Sequence, residues 1–494
     1  MTQETSEEPR ESDSAATSSS QSSSLRLPRQ FWSLAGTEVW ERFSFYGLQA
    51  ILSFYLFYSL TDGGLGIATP TAMGVVGAYG AFVYIMQFAG GWLGDRVIAP
   101  RTMVLIGAAT IMAGHIALGI IPGVPGLSVG LVLIAVGTGA LKTNITATVG
   151  HLLPEDQKLR DSGYGYFLAA INLGGLLGPF ATGWTQSVAG FHVSFAVAAV
   201  GMALGLVQYL TCYSRMPAES AMVANPIGRS KLILPAVISV AAATLVGAAI
   251  ATGVLPTEHL TYYAGGFIVV CAALLFRFVL TSRETTDVER VRVRAFIPLW
   301  IAAVLYYGVL LQIFTTMAIF IDARVDLRLG GWDIPAAWLI ASVGFFGPAL
   351  TPLIARTWKR GLFDRFGAAT KIAVGLVIVS VAFLILLPVA TGEGKTVSPF
   401  LVLVTMALVG VSEVFVNPTT FSLVTRIAPR VFRSRLTALA VLMIGGGAAI
   451  SGILGILFTT MPMVPYLLLV GLGGLLAAGL LRSTAPRIVR MLAL

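Results

Sequence analysis

The sequence predicts an all-α membrane protein with fourteen membrane-spanning helices. Of its 494 residues, 56% are hydrophobic and 11% are charged, whereas about a quarter of a typical globular chain is charged. Apolar runs long enough to cross roughly 30 Å of hydrocarbon recur from Phe31 to near the C-terminus. Lysine and arginine are concentrated in alternate connections between these runs, which is typical of a multi-pass membrane protein.

Composition and charge placement exclude two other classes of protein. A membrane β-barrel needs strands of about ten residues with alternating hydrophobicity, but the apolar runs here are continuous. The net charge of +9 does not indicate a nucleic-acid-binding protein, because the basic residues lie in short connections and not in a patch interleaved with aromatic residues. We therefore expect the lipid bilayer, and no nucleic acid, among the partners.

The spans are predicted from hydropathy in chain order. Six form a first group, two with little internal charge follow, and six form a second group. They lie near residues 31–60, 71–94, 102–121, 126–150, 160–185, 191–213, 230–253, 260–280, 295–321, 334–357, 366–388, 399–425, 434–459 and 463–482.

The connections between the spans differ in their positive charge. One alternating set is rich in basic residues, namely Arg96, Arg101, Lys158, Arg160, Arg215, Arg229, Lys231, Arg283, Arg290, Arg292, Arg294, Lys359, Arg360, Arg365, Arg430, Arg433 and Arg435. The opposite set holds only Arg324, Arg328 and Lys395. Because positively charged connections stay in the cytoplasm, we predict a multi-pass protein of the plasma or inner membrane with both termini cytoplasmic.

An internal repeat divides the chain into halves. Asp95 and Arg96 precede the third span, and Asp364 and Arg365 precede the eleventh. Parallel halves are typical of transporters that bind substrate at the midplane between them. The predicted units are a disordered, serine-rich cytoplasmic tail at 1–30, a six-helix bundle at 31–214, a two-helix insertion with cytoplasmic linkers at 215–294, a second six-helix bundle at 295–484 and a cytoplasmic tail at 485–494.

Three charges lie inside the first apolar segment. Glu38, Glu41 and Arg42 are spaced at i, i+3 and i+4, so they share one face of a helix. Each charge costs on the order of 3 kcal/mol or more at the bilayer midplane. We therefore expect the cluster to face the bundle interior or a wet cavity and to mark a functional site.

Other polar residues also fall inside predicted spans. Lys142 lies well within the fourth span and needs a carboxylate, a cavity or a depressed pKa. Asn172 in the fifth span is either a ligand contact or a hydrogen-bonding link between helices. Glu413 is the only acid in its span, five residues before the helix-disrupting Pro418. Tyr46 and Tyr84 are interpreted either as core packing or as cavity hydroxyls.

The charges of this set suggest a ligand. Arg42 and Lys142 are cations of the first half, and Glu413 is an anion of the second. A zwitterion with its carboxylate toward the first half and its amine toward the second would bridge them. Glu38 and Glu41 would then be free to carry a proton, with Arg42 as their switchable partner.

These residues, in this order, resemble the proton-dependent oligopeptide transporter family of the major facilitator superfamily. The resemblance is strongest in the first six spans. The matching segments are Glu38-x-x-Glu41-Arg42-Phe43 with Tyr46-Gly47, Gly91-Trp-Leu-Gly-Asp-Arg96, Lys142 with its Gly-Thr-Gly and Asn neighbours, Arg160-Asp-Ser162, Asn172-Leu-Gly174, and Gly201-Met202 through Gln208-Tyr209. Bacterial members of this family commonly carry two extra helices between the halves.

The resemblance implies uptake of di- and tripeptides by alternating access, driven by the proton gradient in place of a cofactor or metal. It implies that Glu38, Glu41, Arg42 and Lys142 serve proton coupling. It further implies that a peptide-like substrate is held by Arg42, Tyr46, Tyr84, Lys142, Asn172 and Glu413. We expect the protein to function as a monomer.

The second half departs from the family pattern. An acid usual in the seventh facilitator helix is replaced by Leu311, and a second arginine of the first helix by Gln49. These two family positions pair across the halves, so both partners are lost together. Val343 and Ala440 stand where asparagine and tryptophan are usual, and Phe45 replaces a frequent tyrosine. We therefore expect a more apolar pocket.

Two other functions are weighed against uptake. An exporter of amphipathic or peptide-like compounds is suggested by the lost polar groups and by Gly174-x-x-x-Gly178-Pro179, which resembles a motif of drug antiporters. An enzyme or receptor fits poorly, because the four histidines lack metal-ligand spacing or a paired nucleophile. We therefore predict a transporter and not an enzyme.

Overall fold

The computed structural model describes residues 27–153, 156–228, 244–245, 248–249, 252–359 and 367–493, which are mostly helical. The α-helices that it bounds are α1 (Arg29–Phe57), α2 (Thr69–Arg96), α3 (Pro100–Ile120), α4 (Gly123–Leu152), α5 (Gln157–Ala189), α6 (Phe191–Cys212), α7 (Leu260–Thr281), α8 (Asp287–Leu310), α9 (Thr316–Arg324), α10 (Ala336–Ala341), α11 (Val343–Lys359), α12 (Ala368–Leu384), α13 (Pro399–Ile427), α14 (Arg433–Thr460) and α15 (Met463–Ala493). A short antiparallel hairpin joins β1 (Arg328–Leu329) to β2 (Trp332–Asp333).

Eleven of the described helical segments are long and apolar enough to cross a membrane. The first helix, α1, is not among them, because its charged and polar residues lower its hydropathy. Most of its side chains are nevertheless buried against other helices. The chain is therefore a multi-pass helical membrane protein whose first helix is shielded from lipid by its neighbours.

Helices α1 to α6 pack together as one group, with α1 against α5 and α6, and α3 against α4 and α6. Small residues set the spacing of α1 and α5. A Cβ atom on Gly174 would lie 2.2 Å from the carbonyl oxygen of Val39, and one on Gly178 would lie 2.1 Å from that of Phe43. The motif Gly174-x-x-x-Gly178 therefore serves close helix packing here, and it does not distinguish an exporter from an importer.

Helices α8 and α11 to α15 form the second group, with α12 against α13 and α15, and α8 against α14 and α15. Helix α7 packs between the groups, against α2 and α14. The halves meet most extensively where α2 crosses α14. There, a Cβ atom on Gly77 would lie 2.5 Å from the Cα atom of Gly452, so the two backbones are in direct contact.

Several predicted boundaries differ from the observed ones. Helix α8 begins at Asp287, inside the predicted 215–294 linker, because Thr286 and Glu289 form a capping box. The predicted span 295–321 is interrupted by a 3-10 turn at Leu311–Phe314 before α9. Helix α15 continues through the predicted 485–494 tail as far as Ala493, and Ala485 and Ile488 remain buried on one face.

Some predictions fall on residues that the structure does not describe. The predicted N-terminal tail lies outside the described residues up to residue 26, and most of the seventh span, 230–253, does so as well. The second copy of the repeated loop, with Asp364 and Arg365, also lies outside the described residues. The first copy, Asp95-Arg96, ends α2, where the backbone carbonyls of both residues accept hydrogen bonds from Asn225 and Ile227 of the linker.

Candidate functional site

The charge cluster of α1 is buried. Glu38 and Glu41 are fully inaccessible, and Arg42 is 6% exposed. The guanidinium of Arg42 donates two hydrogen bonds to its neighbour Glu41, one from Nη2 to Oε1 at 2.6 Å and one from Nε to Oε2. Its Nε also lies 3.5 Å from Oε1 of Glu38. Such two-pronged pairing is the strongest geometry that an arginine forms with a carboxylate.

A second ion pair joins α1 to α4. The ammonium group of Lys142 donates a hydrogen bond to Oε1 of Glu38, across a sequence separation of 104 residues. Lys142 therefore has the carboxylate partner that its position within a predicted span requires. The other oxygen of Glu38, Oε2, is buried and has no hydrogen-bond partner among the described residues.

The four groups Glu38, Glu41, Arg42 and Lys142 together form an ionic cluster without net charge. Two carboxylates balance two cations, so the membrane interior holds no uncompensated charge at this point. One added proton leaves the cluster with a net positive charge and one cation without its partner. A protonated cluster therefore has a cation that can pair with a ligand anion.

Aromatic rings surround the ionic cluster. The guanidinium carbon of Arg42 lies 4.9 Å from the ring centre of Phe45 and 5.7 Å from that of Tyr46. Tyr79 of α2 is 4% exposed, and its hydroxyl has no hydrogen-bond partner within the described chain, although it interacts electrostatically with Glu41. Tyr79 was missed in the sequence analysis, because a tyrosine in an apolar span is equally compatible with core packing.

A cavity of about 570 Å³ lies between the two halves, next to the ionic cluster. Four predicted site residues line it, namely Tyr46, Tyr84, Asn172 and Glu413. The side chain of Asn172 makes no hydrogen bond to another described residue, although hydrogen bonding between helices was one of its two interpretations. The geometry therefore favours Asn172 as a group available to a ligand.

Glu413 carries the only charged side chain among the described residues that line the cavity. Its carboxylate forms no hydrogen bond or ion pair with another part of the described chain. It interacts electrostatically with Tyr46 and Tyr84 of the first half and with Tyr307 of its own half. Glu413 therefore faces the first half across the cavity.

The helix that carries Glu413 is anchored by its neighbours. Ser412 shares a 2.9 Å hydrogen bond with the hydroxyl of Tyr306, and Asn417 accepts one of 2.5 Å from Tyr307. Both tyrosines belong to α8, so two bonds fix α13 on either side of the acid. Asn417 was missed in the sequence, although its i+4 spacing from Glu413 places it on the same helix face.

Arg42 and Lys142 were also predicted to contact substrate, but neither is among the residues that line the cavity. Their charged groups are directed to Glu41 and Glu38 instead. The predicted arrangement, two free cations facing one anion, is therefore not present in this conformation. A ligand carboxylate that pairs with the Nε and Nη2 donors of Arg42 has to displace Glu41 from them.

The departures from the family pattern cluster at the cavity. Gln49, Leu311 and Val343 all line its wall, and Phe45 does as well. Gln49 retains a buried amide oxygen without a hydrogen-bond partner among the described residues. Ala440, in contrast, is fully buried and not part of the lining. The first four positions therefore lie at the cavity, where the sequence predicted a more apolar pocket.

The halves close over one end of the cavity. There, Ser53 donates a hydrogen bond to the carbonyl of Phe314, Tyr58 donates one of 2.9 Å to Asp322, and Trp338 donates one of 2.9 Å to the carbonyl of Phe180. These contacts lie where α1 and α5 end. Toward the other end, the lining includes exposed side chains of Leu168 and Phe421, so the cavity opens in that direction.

The sequence model of the POT family, PTR2, matches residues 101–468. The chain belongs to the POT family. A relative from Bacillus subtilis (strain 168), named uncharacterized transporter YclF, is 32% identical over 469 residues, 94% of each chain. A di-/tripeptide transporter of Lactococcus lactis subsp. cremoris is 30% identical and aligns with 94% of this chain and 96% of its own.

Solved POT structures have the same fold. A peptide transporter POT in complex with sulfate has 33% sequence identity and a TM-score of 0.89, over 94% of this chain and 96% of its own. A POT family transporter in complex with 5-aminolevulinic acid has 29% identity and a TM-score of 0.87, over 93% and 97%. The described helices therefore share the POT architecture along nearly the whole chain.

Proposed function

We propose that this protein is a proton-coupled symporter that imports di- and tripeptides by alternating access. The proposal depends on a neutral ionic cluster next to a cavity whose described wall holds one acid, Glu413, which has no ion-pair partner among the described residues. The names of the relatives support the substrate class, since several are described as peptide transporters. We propose both that transport is inward and that it is coupled to protons.

Coupling is proposed to arise from competition for Arg42. In the described conformation, Glu41 accepts hydrogen bonds from the Nε and Nη2 groups of Arg42, which form one edge of the guanidinium. A proton on Glu41 removes the charge that holds this pair, so Arg42 becomes available to the carboxylate of a peptide. Proton and peptide then favour each other's binding, as a symporter requires.

Lys142 and Glu38 are proposed to act as the second coupling pair. Arg42 lies 3.5 Å from Glu38, so its movement toward a ligand changes the surroundings of that acid. Lys142 then becomes the remaining positive neighbour of Glu38. In this mechanism, Tyr46, Tyr84 and Asn172 contact the peptide backbone, because all three line the cavity.

The membrane arrangement is proposed to be that of the major facilitator fold with fourteen spans. The eleven segments, the shielded helix α1 and the α10–α11 segment support thirteen of these spans, and 230–253 is the remaining prediction. We propose that both termini are cytoplasmic. The two six-helix bundles are proposed at 31–214 and 295–484, with the two-helix insertion at 215–294 between them. The cavity then opens toward the cytoplasm, because its closed end lies on the other side.

Uptake into liposomes tests the function and its direction. Purified protein in liposomes should accumulate labelled dipeptides when the outside is made acidic, and a proton ionophore should abolish the accumulation. The same vesicles should be tested with labelled amphipathic drugs. No pH-driven dipeptide uptake across a broad panel would rule out the symporter, and pH-driven drug movement alone would favour the exporter.

The position of Glu413 predicts a requirement for a free amino group. An N-acetylated dipeptide has no ammonium group, so Glu413 would face it with an uncompensated charge. We expect it to compete for labelled dipeptide uptake about tenfold or more weakly than the free dipeptide, a loss of roughly 1.4 kcal/mol. Equal competition by both peptides would remove this role from Glu413.

A further inference from the structure

Basic residues are concentrated where α7 ends and where α8 and α14 begin. Residues 277–294 contain five arginines and three acids, and residues 427–435 contain three arginines and no acid. One of the acids, Asp287, is already paired with Arg290 at 2.7 Å. The eight arginines are Arg277, Arg283, Arg290, Arg292, Arg294, Arg430, Arg433 and Arg435. The two stretches therefore carry an excess of positive charge.

Packing of α7, α8 and α14 brings the two basic stretches together. The ring centres of Phe278, in the last turn of α7, and Phe432, immediately before α14, lie 5.5 Å apart. Farther along, the indole nitrogen of Trp300 on α8 donates a 2.8 Å hydrogen bond to the carbonyl of Leu439 on α14. Both stretches therefore lie at the same end of these helices, which faces the cytoplasm in the proposed membrane arrangement.

Arg435 lies at this junction without an anionic partner. Its guanidinium carbon is 4.1 Å from the ring centre of Phe278 and 4.8 Å from that of Phe432. Its Nη1 group is buried without a hydrogen-bond partner among the described residues, and the same is true of Nε of Arg292 on α8. A charged donor that is buried without a partner is destabilising, so both arginines favour an anion beside them.

One side of α7 is apolar and exposed as far as this junction. Phe267, Val270 and Leu274 are 54%, 56% and 60% exposed, and their spacing places them on one helix face with Phe278. From Phe267 to Phe278 the helix rises about 16 Å, which is close to half of the roughly 30 Å hydrocarbon thickness. The exposed Arg277 ends this face. The surface therefore matches one acyl chain below a negatively charged headgroup.

We propose that the junction of α7, α8 and α14 binds an anionic phospholipid, with its phosphate paired with Arg435 and an acyl chain along α7. The planar guanidinium of arginine suits phosphate, because it donates to two oxygens at once. Basic residues near a membrane surface attract anionic lipids, whereas a lipid without net charge gains much less from them. This site is separate from the central cavity, so it goes beyond the proposed function and does not depend on the transported substrate.

Native mass spectrometry of the detergent-purified full-length protein tests the proposal, because it counts bound lipid molecules. Dioleoyl phosphatidylglycerol is compared with dioleoyl phosphatidylcholine, which has the same chains but no net charge. We expect one phosphatidylglycerol to bind at least about tenfold more tightly than phosphatidylcholine. Glycerol 3-phosphate at the same concentration should not displace it, because it lacks acyl chains. Equal affinity for the two lipids, or displacement by the soluble phosphate, would overturn the proposal.

Variants connect the binding to this junction. Arg435→Gln should weaken phosphatidylglycerol binding about fivefold or more, and Arg435→Lys, which keeps the charge, should weaken it less. Arg277→Gln should weaken it as well, and its exposed position makes a folding defect an unsuitable explanation. The matched control is Arg482→Gln, which removes an exposed arginine of α15 and should leave the affinity unchanged.

Two outcomes with these variants would overturn the site. One is an equal loss of affinity in Arg482→Gln and Arg435→Gln, since the lipid would then be held by general charge attraction. The other is unchanged affinity in both Arg435→Gln and Arg277→Gln. Dipeptide uptake is measured separately, so either outcome would leave the proposed function standing.

Discussion

A Glu41→Gln variant is expected to exchange peptides across the membrane but not to accumulate them against a gradient. Glutamine fills the same space as glutamate but neither carries a charge nor takes up a proton at this position. The charge that pairs Glu41 with Arg42 is thereby removed permanently, so peptide has access to Arg42 at every pH. Binding is retained, while the thermodynamic link to the proton is lost.

The comparison is between proton-driven uptake and counterflow in the same liposomes. Accumulation by Glu41→Gln should fall by a factor on the order of 5–150, the usual size of a coupling between two sites. Counterflow should stay close to that of the unaltered protein. Asp287→Asn is the matched control, because Asp287 forms an exposed pair with Arg290 at 2.7 Å, far from the cavity. Undiminished accumulation by Glu41→Gln would assign coupling to another group.

Loss of the Lys142–Glu38 ion pair is expected to destabilise the folded protein. Replacing Lys142 with Ala leaves Glu38 fully buried without its closest cation, and the remaining one, Arg42, lies 3.5 Å from it. Breaking a buried ion pair by removing one partner costs about 3–5 kcal/mol. We expect Lys142→Ala to lower the thermal unfolding temperature in detergent strongly, and the double variant Glu38→Gln with Lys142→Ala to recover much of the loss.

The control for this pair is Lys395→Ala, which removes a lysine from an exposed connection. It should leave the unfolding temperature unchanged. A double variant that is as unstable as Lys142→Ala would show that Lys142 stabilises the fold through something other than its pairing with Glu38. In transport, Lys142→Ala should impair gradient-driven accumulation more than exchange if the lysine serves coupling as well as binding.

The site was predictable because its charged residues lie inside apolar spans. Glu38, Glu41, Arg42, Lys142 and Glu413 are conspicuous because each is costly in an apolar span. Apolar runs likewise predicted most of the described helices, with the largest boundary differences at the start of α8 and the end of α15. Both signals are local, so they are available from the sequence without knowledge of packing.

The pairing of the charges was not predictable, because it depends on packing between distant segments. Spacing favours Arg42 with Glu38 at i+4, yet Arg42 lies closer to its neighbour Glu41. Glu38 is taken by Lys142 instead, a contact that requires α1 and α4 to meet. The settings of Tyr79, whose hydroxyl has no hydrogen-bond partner among the described residues, and of Asn417 depend on the same packing, and neither residue type is unusual in an apolar span.

The carboxylate of Glu413, the one charged group on the described wall of the cavity, makes the proposed transport cycle sensitive to membrane voltage. With Glu413 ionised and the ionic cluster neutral, the empty site carries a charge of −1. A zwitterionic peptide together with one proton brings that charge to zero. One charge crossing the whole field corresponds to about 2.3 kcal/mol per 100 mV. In the proposed symport cycle, an inside-negative potential would therefore drive the return of the empty carrier to the outside, while the loaded step would proceed almost unaffected by voltage.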